Sequence, residues 1–422
     1  MTTPGGANRR FVVGPTFALV LALLLTACGS ADSSGPATLR WYVFKEPGGA
    51  FAEAARVCTE QSGGRYRVEL ADLPSSADQQ REQLVRRLAA ADSDIDILGM
   101  DVIWSAEFAE AGWILPWEGD AAAKATDGTI AATLQTGTYD GKLYAAPFTT
   151  NTQLLWYRKD RVPTPPQTWA EMISMAEAIG ADGKIQVQGN RYEGLTVWFN
   201  SLLASAGGQV LEPDGTKVSL ATEPTTRALE VMRNVARSSA ADPTLSTSQE
   251  DQARLAFEKG GSSFMVNYSF VWPSAQKNAP QIAANMGWAR WPSVVPGQPS
   301  RVTLGGINLG VGAYSKHPDL AFEAAACLRG PQNQVTATEK GGLPPTTEAL
   351  YDDPKVRAAF PFADILRDSL REGSSRPLSP AYNDISLAIQ RNLHPPRDIR
   401  PAEDVKPLRA SIQKALSSGG LL

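Results

Sequence analysis

Between Leu39 and Gly112 the hydrophobic pattern alternates between the period of a strand and that of a helix, and this restricts the fold more than any other feature. Residues 39–45 (LRWYVFK) alternate as a strand, and the glycines at 48–49 end it. AFAEAARVCTEQ carries apolar residues at helical spacing and stops at Gly63-Gly64. RYRVELADL reads as a second strand, and SSADQQREQLVRRLAAAD as a helix opened by cap-type residues. DIDILGM is almost continuously apolar, as in a strand buried on both faces, and Asp101 closes it. A further helix, VIWSAEFAEAG, ends at Gly112. This β-α-β-α-β opening predicts an α/β fold on a parallel, doubly wound sheet. Ligands of such sheets bind beyond the carboxyl ends of the strands. Asp101 therefore stands where a ligand would sit, although it also suits the N-cap of the next helix.

With 422 residues the chain is too long for one ordinary domain, which predicts two lobes. GKLYAAPFTTNTQLLWYRKD (141–160) runs from strand through Pro147 and a polar TTNT patch into another strand. WAEMISMAEAI and GLTVWFNSLLASAGG read as helices, and GSSFMVNYSFVW (261–272) as an extended segment with Asn267 and Tyr268 in its polar turn. Residues 302–330 read as a strand and then a helix carrying Cys327, and the chain beyond Pro344 as mostly helical.

A net charge of −4 without clustered lysine and arginine argues against a nucleic-acid partner. The two histidines, His317 and His394, each precede proline in a turn-like setting, so neither a metal site nor a cofactor is expected. Ten tryptophans stand out. Flat rings cover the apolar C–H face of a pyranose while carboxylates and amides take its hydroxyls, but at least half of these rings, Trp198 among them, are expected in the core.

Arg9 and Arg10 followed by an apolar run to Ala27 read as a secretory signal peptide (1–27) rather than a membrane span. Leu25-Thr26-Ala27-Cys28-Gly29 resembles a bacterial lipobox, which implies acylation of Cys28 and a lipid-anchored protein on the extracytoplasmic face of the cell membrane. The small polar residues 28–38 then serve as a tether. In an exported chain the remaining cysteines, Cys58 and Cys327, most simply pair.

FAEAGWILPW, GKLYAAPFTTNTQLLWYRKD, EGLTVWFNSLLASAGG, ARLAFEKGGSSFMVN and GGLPP, in this order, resemble the extracellular solute-binding family that includes maltose-binding protein. Within it, MDVIWSAEFAEAGW, TTNTQLLWY and VWFNSLLASAGG are most similar to the mycobacterial trehalose-binding lipoproteins. The resemblance implies a two-lobed clamp with a hinge of three crossovers, near Pro147–Asn151, Gly305–Asn308 and Gly342–Thr346. It places 39–148 with 307–343 in one lobe and 149–306 with 344–422 in the other. It implies a monomer that captures a small carbohydrate, trehalose or a related α-linked glucose disaccharide, and hands it to an ABC permease and its ATPase.

The resemblance also implies a set of ligand-binding residues. Asp101 is matched to a cleft carboxylate, Asn151 to a crossover amide, and Glu250 to a carboxylate of the second lobe. Tyr268 falls where the trehalose relatives carry tryptophan, and Gly306 lies in the glycine pair of the second crossover. Gln79 or Gln80 reaches the cleft from the first lobe. An arginine expected in the late helix is replaced by Ala388, leaving Arg391, one turn on, to take its place. Asn151 also suits a turn, Glu250 a helix terminus, and Gly306 plain hinge geometry. A glycosidase built on Asp101 and Glu250, and a receptor for a peptide or polyamine, are the competing functions.

Overall fold

The computed structural model describes residues 35–74 and 76–418; the expected signal peptide, Cys28 and the tether up to residue 34 lie outside the described residues. The strands among the described residues are β1 (Ala37–Phe44), β2 (Tyr66–Leu73), β3 (Ile97–Asp101), β4 (Thr138–Tyr139), β5 (Lys142–Leu143), β6 (Ala145–Asn151), β7 (Leu154–Arg158), β8 (Lys184–Gln186), β9 (Ser262–Asn267), β10 (Met286–Ala289) and β11 (Gly305–Val311). Two large sheets result, ordered β2-β1-β3-β11-β6 and β10-β7-β9-β8, with β4 and β5 as a small ribbon.

The first sheet is buried on both faces, as the near-continuous hydrophobicity of β3 requires. Leu39, Trp41, Val43 and Ile97 point to one face, where they meet Phe51 and Ala54 of the helix Ala50–Gln61 and Ala324 and Leu328 of the helix Pro318–Leu328. Tyr42, Leu98 and Met100 point to the other, against Leu84 and Leu88 of the helix Ala77–Ala89. This is the two-residue alternation of a strand, with each buried side chain stabilising the fold by roughly 1.5–3 kcal/mol. The second sheet repeats the scheme: Leu154, Trp156 and Met265 face one core, Leu155, Tyr157, Phe264 and Val266 another.

Only part of the first sheet is parallel as expected. β2, β1 and β3 run together, but β11 lies antiparallel between β3 and β6. The second sheet is also mixed, with antiparallel β10-β7 and β7-β9 pairs beside a parallel β8-β9 pair. The cause is connectivity: β11 returns from the other sheet rather than through a crossover helix of its own. Two local readings also differ. VIWSAEFAEAG is a 3₁₀ turn (Val102–Trp104) followed by a short helix (Ser105–Glu110), and the extended reading of 261–272 ends early because a helix starts at Val271.

Chain passes between the sheets twice, from β6 to β7 and from β10 to β11, and a third segment, after the helix Pro331–Gly341, leads to residues such as Tyr351 and Phe362 packed on the second sheet; the three segments lie side by side. β6 ends at Asn151 and β7 begins at Leu154. Gly305 opens β11 opposite Asn151. Beside them, Thr150 N donates to Pro344 O (2.9 Å) and Thr346 Oγ1 to Pro147 O (3.1 Å). Because β1 and β3 are parallel and Trp41 is level with Ile97, β1 begins at the end of the sheet opposite Asp101. Cys58 and Cys327 form a disulfide, Cα–Cα 5.8 Å, between the helices Ala50–Gln61 and Pro318–Leu328.

Candidate ligand-binding site

Asp101 ends β3 at the carboxyl edge of the parallel strands, where the backbone stops pairing and a side chain is free to leave the sheet. It caps the next turn and also holds an ion pair. Its Oδ1 accepts from Ile103 N (3.2 Å) and from Arg376 Nη2 (3.2 Å). Arg376 belongs to the other half of the molecule, since its loop is pinned there by Leu304 N donating to Ser374 O and Ser374 N to Val302 O. Its Nη1 donates to Glu193 Oε1 (2.9 Å), the first residue of the helix Glu193–Ser205. Tyr382 and Ser386, one turn apart on the helix Tyr382–Leu393, also donate to the Glu193 carboxylate. Burial pushes the Glu193 carboxyl upward, against the pull of the Arg376 charge and these hydrogen bonds.

A second group faces this network. Glu250 opens the helix Glu250–Glu258, and its backbone O accepts from the buried Asn267 side chain (3.0 Å). Burial holds its carboxyl above the usual carboxylate range. Half-buried Tyr268 follows β9, and burial, then the charge of Glu250, raise its phenol; Arg376, Asp101 and Glu193 also lie within its electrostatic reach. Tyr192 stands beside Glu250 with its hydroxyl buried and without a well-formed hydrogen bond. Its ring lies across Gly194, where a Cβ would come 2.2 Å from that hydroxyl.

The connectors close the floor. Asn151 lies over Gly305, whose missing side chain leaves room for the amide: a Cβ there would meet Asn151 Oδ1 at 2.3 Å. Gly306 has φ +134° and backs onto Thr149 O, 2.2 Å from where a Cβ would stand. Gly306→Ala is therefore expected to destabilise the protein by about 1–3 kcal/mol, read as a lower urea midpoint. An unchanged midpoint would show that the connector has an alternative backbone path.

Other expected residues fall differently. Gln80 is buried and Gln79 exposed on the helix Ala77–Ala89, while Asp78 of the same turn lies close enough to Asp101 for that charge to raise its carboxyl, in addition to burial. Arg391 is solvent-exposed and Ala388 belongs to a hydrophobic core, so the arginine that reaches the cleft carboxylates is Arg376. Trp198 is core, packed against Trp169. Eight of the ten tryptophans are buried, and Trp272 and Trp288 pack on each other and on Phe362. Among the described residues no group of three or more metal-ligating side chains occurs.

Glu193, Arg376, Tyr382, Ser386, Tyr192 and Asp78 were not singled out from sequence. Glu193 reads as an ordinary acidic residue favoured at a helix N-terminus. The one available signal was the polar pair Tyr382 and Ser386 at i, i+4 on an otherwise apolar helix face. Carboxylates accept hydrogen bonds, phenols donate or accept them, and an amide does both, which is the chemistry that a polyhydroxylated molecule calls for.

Residues 59–335 match the family of bacterial extracellular solute-binding proteins. The chain belongs to this family. Like the solute-binding proteins as a class, it binds rather than catalyses, and it serves an ABC transporter. It is 30% identical to a "Probable ABC transporter-binding protein" of Deinococcus radiodurans, over 88% of this chain and 91% of that one. It is 26% identical to the diacetylchitobiose binding protein DasA of Streptomyces coelicolor, over 58% of each. Among solved structures, maltose-bound MalE3 of T. maritima superposes with a TM-score of 0.80 at 28% identity, covering 90% of this chain and 99% of that one. The two-lobed α/β architecture of this solute-binding protein is the one found there.

Proposed function

We propose that this solute-binding protein captures a small carbohydrate, with trehalose or another α-linked glucose disaccharide as its ligand, and delivers it to an ABC permease. The observation that carries the reading is the convergence of Asp101 with Glu193 and Arg376, faced by Glu250, Tyr192 and Tyr268. Carboxylates accept the hydroxyls that ring a pyranose, phenols donate to them, and the tyrosine faces cover its C–H surface. Maltose in MalE3 and diacetylchitobiose in the DasA relative support a sugar of about this size.

In this reading 39–148 with 307–343 form one lobe and 149–306 with 344–422 the other. The connectors around Asn151, Gly305 and Pro344 serve as hinge, and closure on the ligand makes the shape that the permease reads. The lipobox at Cys28 supports a lipid anchor on the outer face of the cell membrane.

Calorimetry with trehalose, maltose, sucrose and free monosaccharides tests the reading. Binding of an α-linked glucose disaccharide is expected, and Asp101→Ala is expected to weaken it by about 1.5–3 kcal/mol with the fold retained. Binding of a monosaccharide alone, or of no sugar, overturns the assignment, and an unchanged affinity returns Asp101 to its capping role.

A further inference from the structure

The Arg376 guanidinium is engaged by the protein itself. Nη1 donates to Glu193, and Nη2 to Asp101 and, at 3.4 Å, to Leu304 O. Of the two N–H groups left over, the one on Nε is buried without a partner, and the side chain is only 5% exposed. Asp101 and Glu193 bond it, Glu250 lies within electrostatic reach of Glu193 and Tyr268, and Asp78 within reach of Asp101. Arg81, the cation nearest Asp78, is held in a two-pronged fork by Glu107, with Nε to Oε2 at 2.7 Å. Two carboxylates thus share one guanidinium, with Glu250 beside Glu193 as a third, and that guanidinium is turned toward the protein's own carboxylates. A residue that captures phosphate or carboxylate does the opposite, offering an open fork of donors.

We infer that Arg376 fixes the charge specificity of the cleft: as counter-ion to Asp101 and Glu193 it leaves the site with surplus negative charge. The site then accepts uncharged sugars and refuses sugar phosphates, sulfates and uronic acids. The inference rests on the carbohydrate reading above and narrows it to one ligand class. Hydroxyls donate to carboxylates without bringing charge, so a neutral sugar gains the hydrogen bonds and escapes the repulsion. One negative charge about 6 Å from one uncompensated carboxylate, at an effective dielectric near 20, is disfavoured about a hundredfold. Glu193 acts through Arg376 and is a positioning residue here.

The test uses the intact soluble protein and whichever α-linked glucose disaccharide binds most tightly. Calorimetry compares three ligands: that sugar, its 6-phosphate, and a neutral 6-O-acyl ester that controls for bulk. The phosphate is expected to bind at least about 100-fold more weakly than the neutral ester. Glu193→Gln removes one charge while keeping an acceptor for Arg376, and is expected to narrow that ratio at least about tenfold. Should that variant fail to fold, Glu250→Gln, at the first turn of its helix, is expected to shift the ratio in the same direction. Equal affinity for phosphate and ester, or a ratio unmoved by the charge-removing variant that folds, overturns the inference and leaves the carbohydrate reading standing. Failure of every disaccharide to bind removes both, and shows in the first titration.

Discussion

Arg376→Ala is expected to destabilise the protein by about 3–5 kcal/mol, because it strips the cation from a largely buried carboxylate. Glu193 would keep only Tyr382 and Ser386 as donors, and Asp101 would lose its one contact with an ionised partner. The loss is expected to depend on pH with a definite sign. Burial raises the Glu193 carboxyl above its ordinary value of 4.5, so its contribution is fully present below that value and declines as pH rises. Without Arg376 the carboxyl rises further, and the variant should be closest to the parent protein in mild acid and furthest from it at neutral pH. Urea melts at several pH values, on parent and variant, measure both quantities. A penalty constant with pH would mean that Glu193 is not the group left stranded. Arg376→Lys should recover only part of the loss, since one ammonium cannot reproduce the two-armed bridge between Glu193 and Asp101.

Breaking the Cys58–Cys327 bond is expected to cost about 5–6 kcal/mol in the chain-entropy account, since the bond spans 269 residues of sequence. Cys58 is fully buried in the core beneath the first sheet, with Cys327 packed at its margin, so the helices meet without the bond and the effect falls on the unfolded chain. Urea unfolding of Cys327→Ser beside the parent protein would show it as a lower midpoint. An unchanged midpoint would mean that the unfolded chain keeps these helices together on its own.

Local rules carried the reading where structure is local. The helices Ala50–Gln61 and Trp169–Ile179 match the segments read from periodicity and glycine stops, and Asp101 closes its strand and caps the next turn as its pattern indicates. Two cysteines in an exported chain were enough to propose the disulfide that the fold contains. What escaped is long-range. The antiparallel insertion of β11 depends on where a returning strand fits, and no window of sequence around Gly305 records that. Arg376 and Asp101 lie 275 residues apart, and the loop EGSSRPLSP has neither periodicity nor motif to mark its arginine. Arg391 was favoured instead because helical spacing is visible in sequence, whereas the reach of a loop is not. The tryptophans follow the expectation that at least half of them are core, as large rings are valuable there and these cores took most of them.

The position of Ala37 bears on how the protein is presented on a surface. β1 enters the first sheet four residues before the level of Ile97, and Asp101 lies four residues beyond it, so about 26 Å of strand separates the two. A biotin or a chip surface coupled ahead of Ala37 therefore joins the lobe at the pole away from the carboxylates. Molecules captured in that orientation present the cleft to the flow and leave it free to open and close. Sensors made by coupling at this terminus should keep nearly all their binding capacity. Coupling through Lys45, at the carboxyl end of the same strand, would place the attachment beside the ligand instead.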